Sequence, residues 1–202
     1  MIAIADYGMG NLRSVEKALE YLGFAAMTTE NPETLKKADS IILPGVGAFG
    51  QAMARLNQTG LGQALKEAVA AGTPLLGICL GAQLIFKGSD ENGYHEGLGL
   101  LKGTVKRLPD CGLKIPHMGW NDLKTRDCPL FRAGENPTVY FVHSYAMLDI
   151  SDEFTAATCD YGVPFTAAVA KGNILATQFH PEKSGDAGLK MLKNFALYKG
   201  GK

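Results

Sequence analysis

From Met1 to Phe86 short apolar runs alternate with stretches of helical periodicity, and no other feature narrows the fold as far. Ile2 to Ala5, Ala25 to Thr28, Ser40 to Leu43 and Pro74 to Ile78 are too short for helices, and most are as continuously apolar as strands buried on both faces. Between them Leu12, Val15, Ala18, Leu19 and Leu22 recur on one helical face. Asn31-Pro32 opens a brief helix through Leu35 and Ala38. Ala52, Met53 and Leu56, then Leu61, Leu65, Ala68 and Val69, continue the helical pattern to Ala71, where Gly72 stops it. The alternation predicts an α/β fold: a mostly parallel central sheet with helices on both faces. Sites in such sheets lie beyond the carboxyl ends of the strands, which gathers Asp6, the Pro44 to Gly50 loop and Cys79 at one edge.

After Lys87 the texture changes. Gly88 to Gly93 reads as a polar loop, and Val105–Leu108, Thr138–Val142, Ala156–Thr158, Thr166–Ala170 and Ile174–Phe179 read as short strands between turn residues, giving the second half an antiparallel β portion. Asp186 to Tyr198 closes the chain as a helix with Leu189, Leu192, Phe195 and Ala196 along one stripe. No repeat or linker divides the 202 residues, so one domain over 1–202 is expected.

Twenty basic residues balance twenty acidic ones, so no overall field recruits nucleic acid or an anionic membrane; a small molecule or a protein partner fits better. Met1 to Asp6 is too short and lacks the basic lead of a signal peptide, and no segment approaches the ~20 apolar residues of a membrane span. Cys79, Cys111, Cys128 and Cys159 form no C-x-x-C pair. A reducing, cytoplasmic setting is expected.

In Gly77-Ile78-Cys79-Leu80-Gly81 a cysteine stands between two glycines where a strand gives way to a helix. This is the spacing of a nucleophile elbow, with an exposed thiol as its consequence. The start of a helix favours a thiolate and a developing oxyanion there. A buried structural cysteine after a core strand is the other reading, and this stretch alone does not separate them. The three glycines of Pro44 to Gly50 free that backbone to present N–H groups, or simply make a flexible loop. Gly8-Met9-Gly10 lacks the third glycine of a dinucleotide fingerprint and reads as a tight turn.

A catalytic thiol needs a base. His180 ends an apolar run and precedes Pro181-Glu182; in an extended segment, residues two apart share a side, so Glu182 is placed to hold the imidazole. A surface turn carrying both residues is the alternative. H-x-E also occurs in zinc deaminases, but their P-C-x-x-C partner is missing, so no metal is expected. His95, His117 and His143 are weaker candidates, any of them readable as packing residues.

Together Gly77 to Gln83 and Phe179-His180-Pro181-Glu182 resemble the class I, triad-type glutamine amidotransferases. Asp6 to Leu12, Leu43 to Gly50, Pro116 to Asn121, Tyr140 to Tyr145 and His180 to Gly185 are similar, in order and nearly end to end, to the family of glutaminase subunits of imidazole glycerol phosphate synthase. Ala82, often methionine in that family, is a mild departure. The resemblance implies hydrolysis of glutamine to glutamate and ammonia without a cofactor, and delivery of the ammonia to a (β/α)₈-barrel cyclase partner in a heterodimer. It implies Cys79, His180 and Glu182 as the triad, and oxyanion donors from the backbone of Leu80 and of Val46 or Gly47. Gly47, Gln83, Glu91, Ser144 and Tyr145 would grip glutamine. Asn11, Arg13, Trp120, Tyr140 and Lys183 would lie at the docking face and ammonia passage.

Overall fold

A computed structural model describes residues 1–200 of the chain. The first half runs β1 (Ile2–Ala5), α1 (Leu12–Tyr21), β2 (Ala26–Thr29), α2 (Pro32–Lys36), β3 (Ser40–Leu43), α3 (Phe49–Thr59), α4 (Leu61–Ala70), β4 (Leu75–Ile78) and α5 (Leu80–Leu84). The second runs β5 (Phe86–Ser89), β6 (His95–Glu96), β7 (Leu101–Arg107), β8 (His117–Thr125), β9 (Thr138–His143), β10 (Tyr145–Asp149), β11 (Thr155–Asp160), β12 (Pro164–Lys171), β13 (Ile174–Thr177) and α6 (Gly185–Leu197). Single 3₁₀ turns occupy Asp152–Phe154 and Pro181–Lys183.

The sheet order is β2-β1-β3-β4-β13-β12-β10-β7-β5-β6, with β11 on β12 and β8, and β9 on β8. Pairing is parallel from β2 to β13 and antiparallel from β13 through β12 and β10 to β7. Every residue of β1, β3, β4 and β13 is buried, which explains their continuous apolar sequences; β2, at the edge, alternates. Ala3 and Ala5 pack with α3 and α4 on one face. Ile2 and Ile4 pack with Val15 and Leu19 of α1 and Leu192 and Phe195 of α6 on the other. Each such Leu or Ile contributes roughly 1.5–3 kcal/mol by leaving water.

The register that matters most is β13 on β4, with Thr177 opposite Ile78. Residues that follow each strand therefore leave the sheet side by side, Cys79 from one and Gln178 to His180 from the other. Several expectations need correction. Gly88 and Ser89 belong to β5, paired with β6 and β7, and not to the polar loop. β13 ends at Thr177, although Gln178 N–H still donates to the Ala167 carbonyl. Strands β8 and β10 went unread: Gly119, Asn121 and Asp122 interrupt the apolar alternation of β8, whose outer face is solvated. Among the described residues no helix is long and apolar enough to cross a membrane.

Candidate active site

Cys79 follows β4 and caps α5 with φ 55° and ψ −110°. That backbone region costs a residue with a Cβ about 1–3 kcal/mol. The flanking glycines answer to packing: a Cβ at Gly77 would strike Ile85 and the Ala82 backbone, and one at Gly81 would overlap the Leu43 carbonyl. Their bareness lets α5 press against the ends of β3 and β4 and hold the strained cysteine. The thiol is not exposed as expected, because Cys79 is only 7% accessible. It opens into a cavity of about 330 Å³ that Val46, Gly47, Leu80, Gln83, Glu91, Ser144 and Tyr145 all line, the whole set that resemblance assigned to oxyanion and glutamine. An open groove of about 640 Å³ between the Asp127–Glu135 loop and α6 contains none of the candidate residues.

His180 Nδ1 lies 2.8 Å from Glu182 Oε1, with the two side chains 2% and 1% exposed. The geometry is not the extended one expected: Glu182 reaches back across the Pro181–Lys183 turn. The backbone at His180 is pinned, its N–H donating to the Tyr140 carbonyl (3.0 Å) and its carbonyl accepting from Ser184 Oγ (2.6 Å). An ionised carboxylate only accepts, so Nδ1 carries a proton and Nε2 is the nitrogen left to exchange one. Nε2 is buried and has no hydrogen-bond partner among the described residues. Burial alone would lower the pKa of this imidazole, but Cys79, and with it Glu182, outweighs burial and pushes it up to about 9. The arrangement suits proton transfer between a thiol and an imidazole.

The candidate oxyanion donor is engaged within the chain: Leu80 N–H donates to the Gly45 carbonyl at 3.3 Å. Tyr7 hydroxyl donates to the adjacent Pro44 carbonyl at 2.9 Å, and a Cβ at Gly45 would collide with that hydroxyl. Gly47 has φ 107°, which few other residues adopt. Glu91 Oε2 accepts from Phe49 N–H at 2.7 Å and so clips the end of this loop to the β5–β6 turn.

Across the cavity, Gln83 Nε2 donates to the Tyr145 carbonyl (2.8 Å) and to Gln178 Oε1 (3.0 Å). Behind them two buried histidines touch, His117 Nδ1 to His143 Nε2 at 3.0 Å. His143 Nδ1 faces the Tyr145 carbonyl at 2.9 Å, and Asn121 Nδ2 lies 3.4 Å from His117 Nε2. His117 is stacked between Phe141 and Tyr161, with ring centroids 4.6 and 3.9 Å away. Burial lowers its pKa to about 4. Burial and then the neighbouring His117 lower that of His143 to about 3, so both rings are neutral.

Trp120 and Tyr140 pair across β8 and β9 with ring centroids 6.0 Å apart. Trp120 is 56% exposed, and so is its neighbour on the same strand face, Met118, at 62%. Lys183 and Arg13 are exposed and Asn11 half-buried. Met118, Tyr7 and Gln178 are the parts of the site that sequence reasoning passed over; His117 and His143 were weaker candidates there, and only their contact was missed. The pair Met118 and Trp120, two apart in a strand, carried a readable signal. Burial raises the thiol pKa of Cys128, and raises that of Cys159 to about 12, so neither resembles a reactive cysteine.

The class I glutamine amidotransferase family matches residues 3–198. Imidazole glycerol phosphate synthase subunit HisH of Moorella thermoacetica is 52% identical over 196 residues, 96% of this chain and 93% of that protein. Its counterpart in a Geobacillus species is 52% identical over 208 residues, covering 100% and 99%. A solved glutamine amidotransferase superposes with a TM-score of 0.76 at 22% identity, covering 98% of this chain and 100% of that one. PurLQS from Thermotoga maritima gives 0.77 at 24% identity, with 96% of both chains covered. At these identities the solved structures speak for the fold. The chain belongs to the class I glutamine amidotransferases and, within them, to the family of imidazole glycerol phosphate synthase subunit HisH.

Proposed function

We propose that the chain is a single glutamine amidotransferase domain over residues 1–202 that hydrolyses glutamine in the cytoplasm. It passes the ammonia to a (β/α)₈-barrel cyclase, its partner in a heterodimer that makes imidazole glycerol phosphate and AICAR for histidine biosynthesis. The observation that carries this reading is the meeting of a strained cysteine with the His180–Glu182 pair at the ends of neighbouring parallel strands, beside a cavity of about 330 Å³ into which the thiol opens. Cys79 Sγ attacks the side-chain carboxamide carbon while His180 Nε2 takes the thiol proton. The tetrahedral oxyanion collapses, the C–N bond breaks, and His180 returns the proton to the leaving ammonia. Water, deprotonated by the same nitrogen, then cleaves the thioester to glutamate. Glu182 holds the tautomer and stabilises the imidazolium.

The oxyanion requires Leu80 N–H and a second donor from Val46 or Gly47. In the described conformation the Gly45 carbonyl occupies the first of these. The Gly45–Val46 peptide must therefore turn before catalysis, and losing even one such donor costs about 3–4 kcal/mol, a rate factor of 10²–10³. Asn11 and Arg13 begin α1 beside this loop, since Gly10 stands against Pro44 and Gly45. Docking there gives the partner a lever on the rate. Trp120, Tyr140 and Lys183 form the rim through which ammonia leaves. Gln83, Glu91, Ser144 and Tyr145 hold the amino-acid end of glutamine.

The test is glutamate release by the wild-type chain and by Cys79→Ala, with and without the cyclase and its nucleotide substrate. Slow release by the chain alone, strong acceleration by the liganded cyclase and none from Cys79→Ala are expected. Turnover by Cys79→Ala at the wild-type rate sinks the triad, and full-speed hydrolysis without the partner sinks the coupling.

A further inference from the structure

Gln178 is wholly buried, polar, and two residues before His180. Period-two geometry sends both side chains to one side, toward the nucleophile. The orientation of its amide follows from the chain of partners around it. The Tyr145 carbonyl can only accept, so the atom of Gln83 that faces it at 2.8 Å is nitrogen. That same nitrogen lies 3.0 Å from Gln178, so the Gln178 atom there is oxygen. The remaining end of the Gln178 amide, Nε2, is thereby turned to Cys79 Sγ at 3.9 Å. The histidine pair reinforces this order. Asn121 Oδ1 accepts from Asp122 N–H, so Nδ2 donates to His117; His117 Nδ1–H then donates to His143 Nε2, and His143 Nδ1–H donates to the second lone pair of the Tyr145 carbonyl.

We propose that Gln178 is a catalytic hydrogen-bond donor that stabilises the Cys79 thiolate, with its amide oriented by Gln83 and the Tyr145 carbonyl. The inference rests on Cys79 being the nucleophile of the proposed reaction. The sulfur otherwise faces the Val142 carbonyl, also at 3.9 Å, which accepts from a thiol and repels a thiolate. Leu80 N–H, the first of α5, is spent on the Gly45 carbonyl. Gln178 is the uncharged donor that tips the balance toward the anion, and it does so without giving up a proton of its own. Its anchor, Gln83, also lines the glutamine cavity, so substrate that engages Gln83 acts on the same chain that prepares the thiolate.

The experiment compares the pH profile of iodoacetamide alkylation of Cys79, read by mass spectrometry of its peptide, in the wild-type chain, Gln178→Met and Gln178→Glu, each alone and with the cyclase. Methionine keeps the volume and removes the donor. Glutamate keeps an oxygen for Gln83 Nε2 and turns another to the sulfur. Both profiles should move to higher pH by about one unit, with alkylation near neutrality about tenfold slower and glutamate release reduced in parallel. A profile superimposable on wild type in either folded variant overturns the role, even if activity falls, because a purely structural loss leaves the midpoint in place. Should neither variant fold, wild-type chain labelled with ¹⁵N-glutamine decides. One side-chain amide signal should titrate with the alkylation midpoint and lose that titration in Cys79→Ala; no such signal overturns the role. Glutamate release by Cys79→Ala would remove the proposed function itself, whereas an unshifted profile with Cys79-dependent turnover removes only the part given to Gln178.

Discussion

Two histidine sites, near enough for His180 to act on His143, are buried alike and shifted in opposite directions. His180, against Glu182 and Cys79, is held basic, with a pKa near 9. His117 and His143, against each other, a carbonyl and aromatic faces, are held neutral, near 4 and 3. Burial pushes all three the same way, so the partner decides the sign. A carboxylate and a thiolate stabilise an imidazolium more than burial penalises it, whereas a second imidazole adds only repulsion. In the proposed reaction the first site exchanges a proton, whereas the second fixes donors and acceptors in one order. Burial alone therefore does not decide whether a buried histidine is held basic or neutral; the charge of its partner does.

The largest test of this comparison replaces the partner. Glu182→Gln removes the charge and lets an amide N–H face Nδ1, which moves the ring proton to Nε2 and leaves no base for the thiol. The equivalent carboxylate-to-amide change in serine proteases lowers kcat by about 10⁴, and a loss of 10³–10⁴ in cyclase-stimulated glutamate release is expected here. A loss below tenfold would mean that Glu182 is not what sets His180 apart.

A smaller effect separates the two sites by stability. His143 and His117 bind protons less readily folded than unfolded, so their contribution is complete above about pH 6.5 and is lost as pH falls toward 4. His180 has the reverse sign: its contribution is complete below about 6.5 and is lost as pH rises through 9. Urea unfolding of the wild type should show both limbs. His143→Gln should flatten the acid limb between pH 7 and 5 by about 2 kcal/mol and leave the alkaline limb alone. An unchanged acid limb would show that the pair is not held neutral by the fold.

The parallel half was legible because its strands are buried on both faces and its helices carry one apolar stripe; β3 falls where its sequence predicts. The proposed triad was only half legible: the glycines around Cys79 and the closeness of His180 to Glu182 left structural readings open, and the family resemblance was what favoured a triad. Strand β8 was not, because one face is solvated and its polar residues break the pattern. Nor was the histidine pair, whose members lie 26 residues apart and meet only through the β8–β9 register, with His117 opposite His143. Gln178 fell inside the expected strand Ile174–Phe179 with no role attached, and only the placement of Gln83, 95 residues away, gives its amide a direction. The burial of Cys79 was misread for a related reason: an elbow fixes the direction of a thiol, while the loops above it decide how much water reaches it.

Tyr7 extends the comparison to a group that keeps its proton without taking part in its exchange. Burial, and then the charge of Cys79, raises its pKa, so the hydroxyl stays a donor and holds the Pro44 carbonyl. That hold precedes the peptide whose carbonyl blocks Leu80 N–H. Tyr7→Phe deletes one hydrogen bond and keeps the ring, so the chain should lose about 1 kcal/mol in urea unfolding. With the loop less firmly held, the Gly45–Val46 peptide should turn more often, and glutamate release without the cyclase should rise severalfold while the stimulated rate changes little. If stability falls and the unstimulated rate does not rise, Tyr7 supports the loop without restraining it, and the restraint lies in the Gly45 to Leu80 hydrogen bond alone.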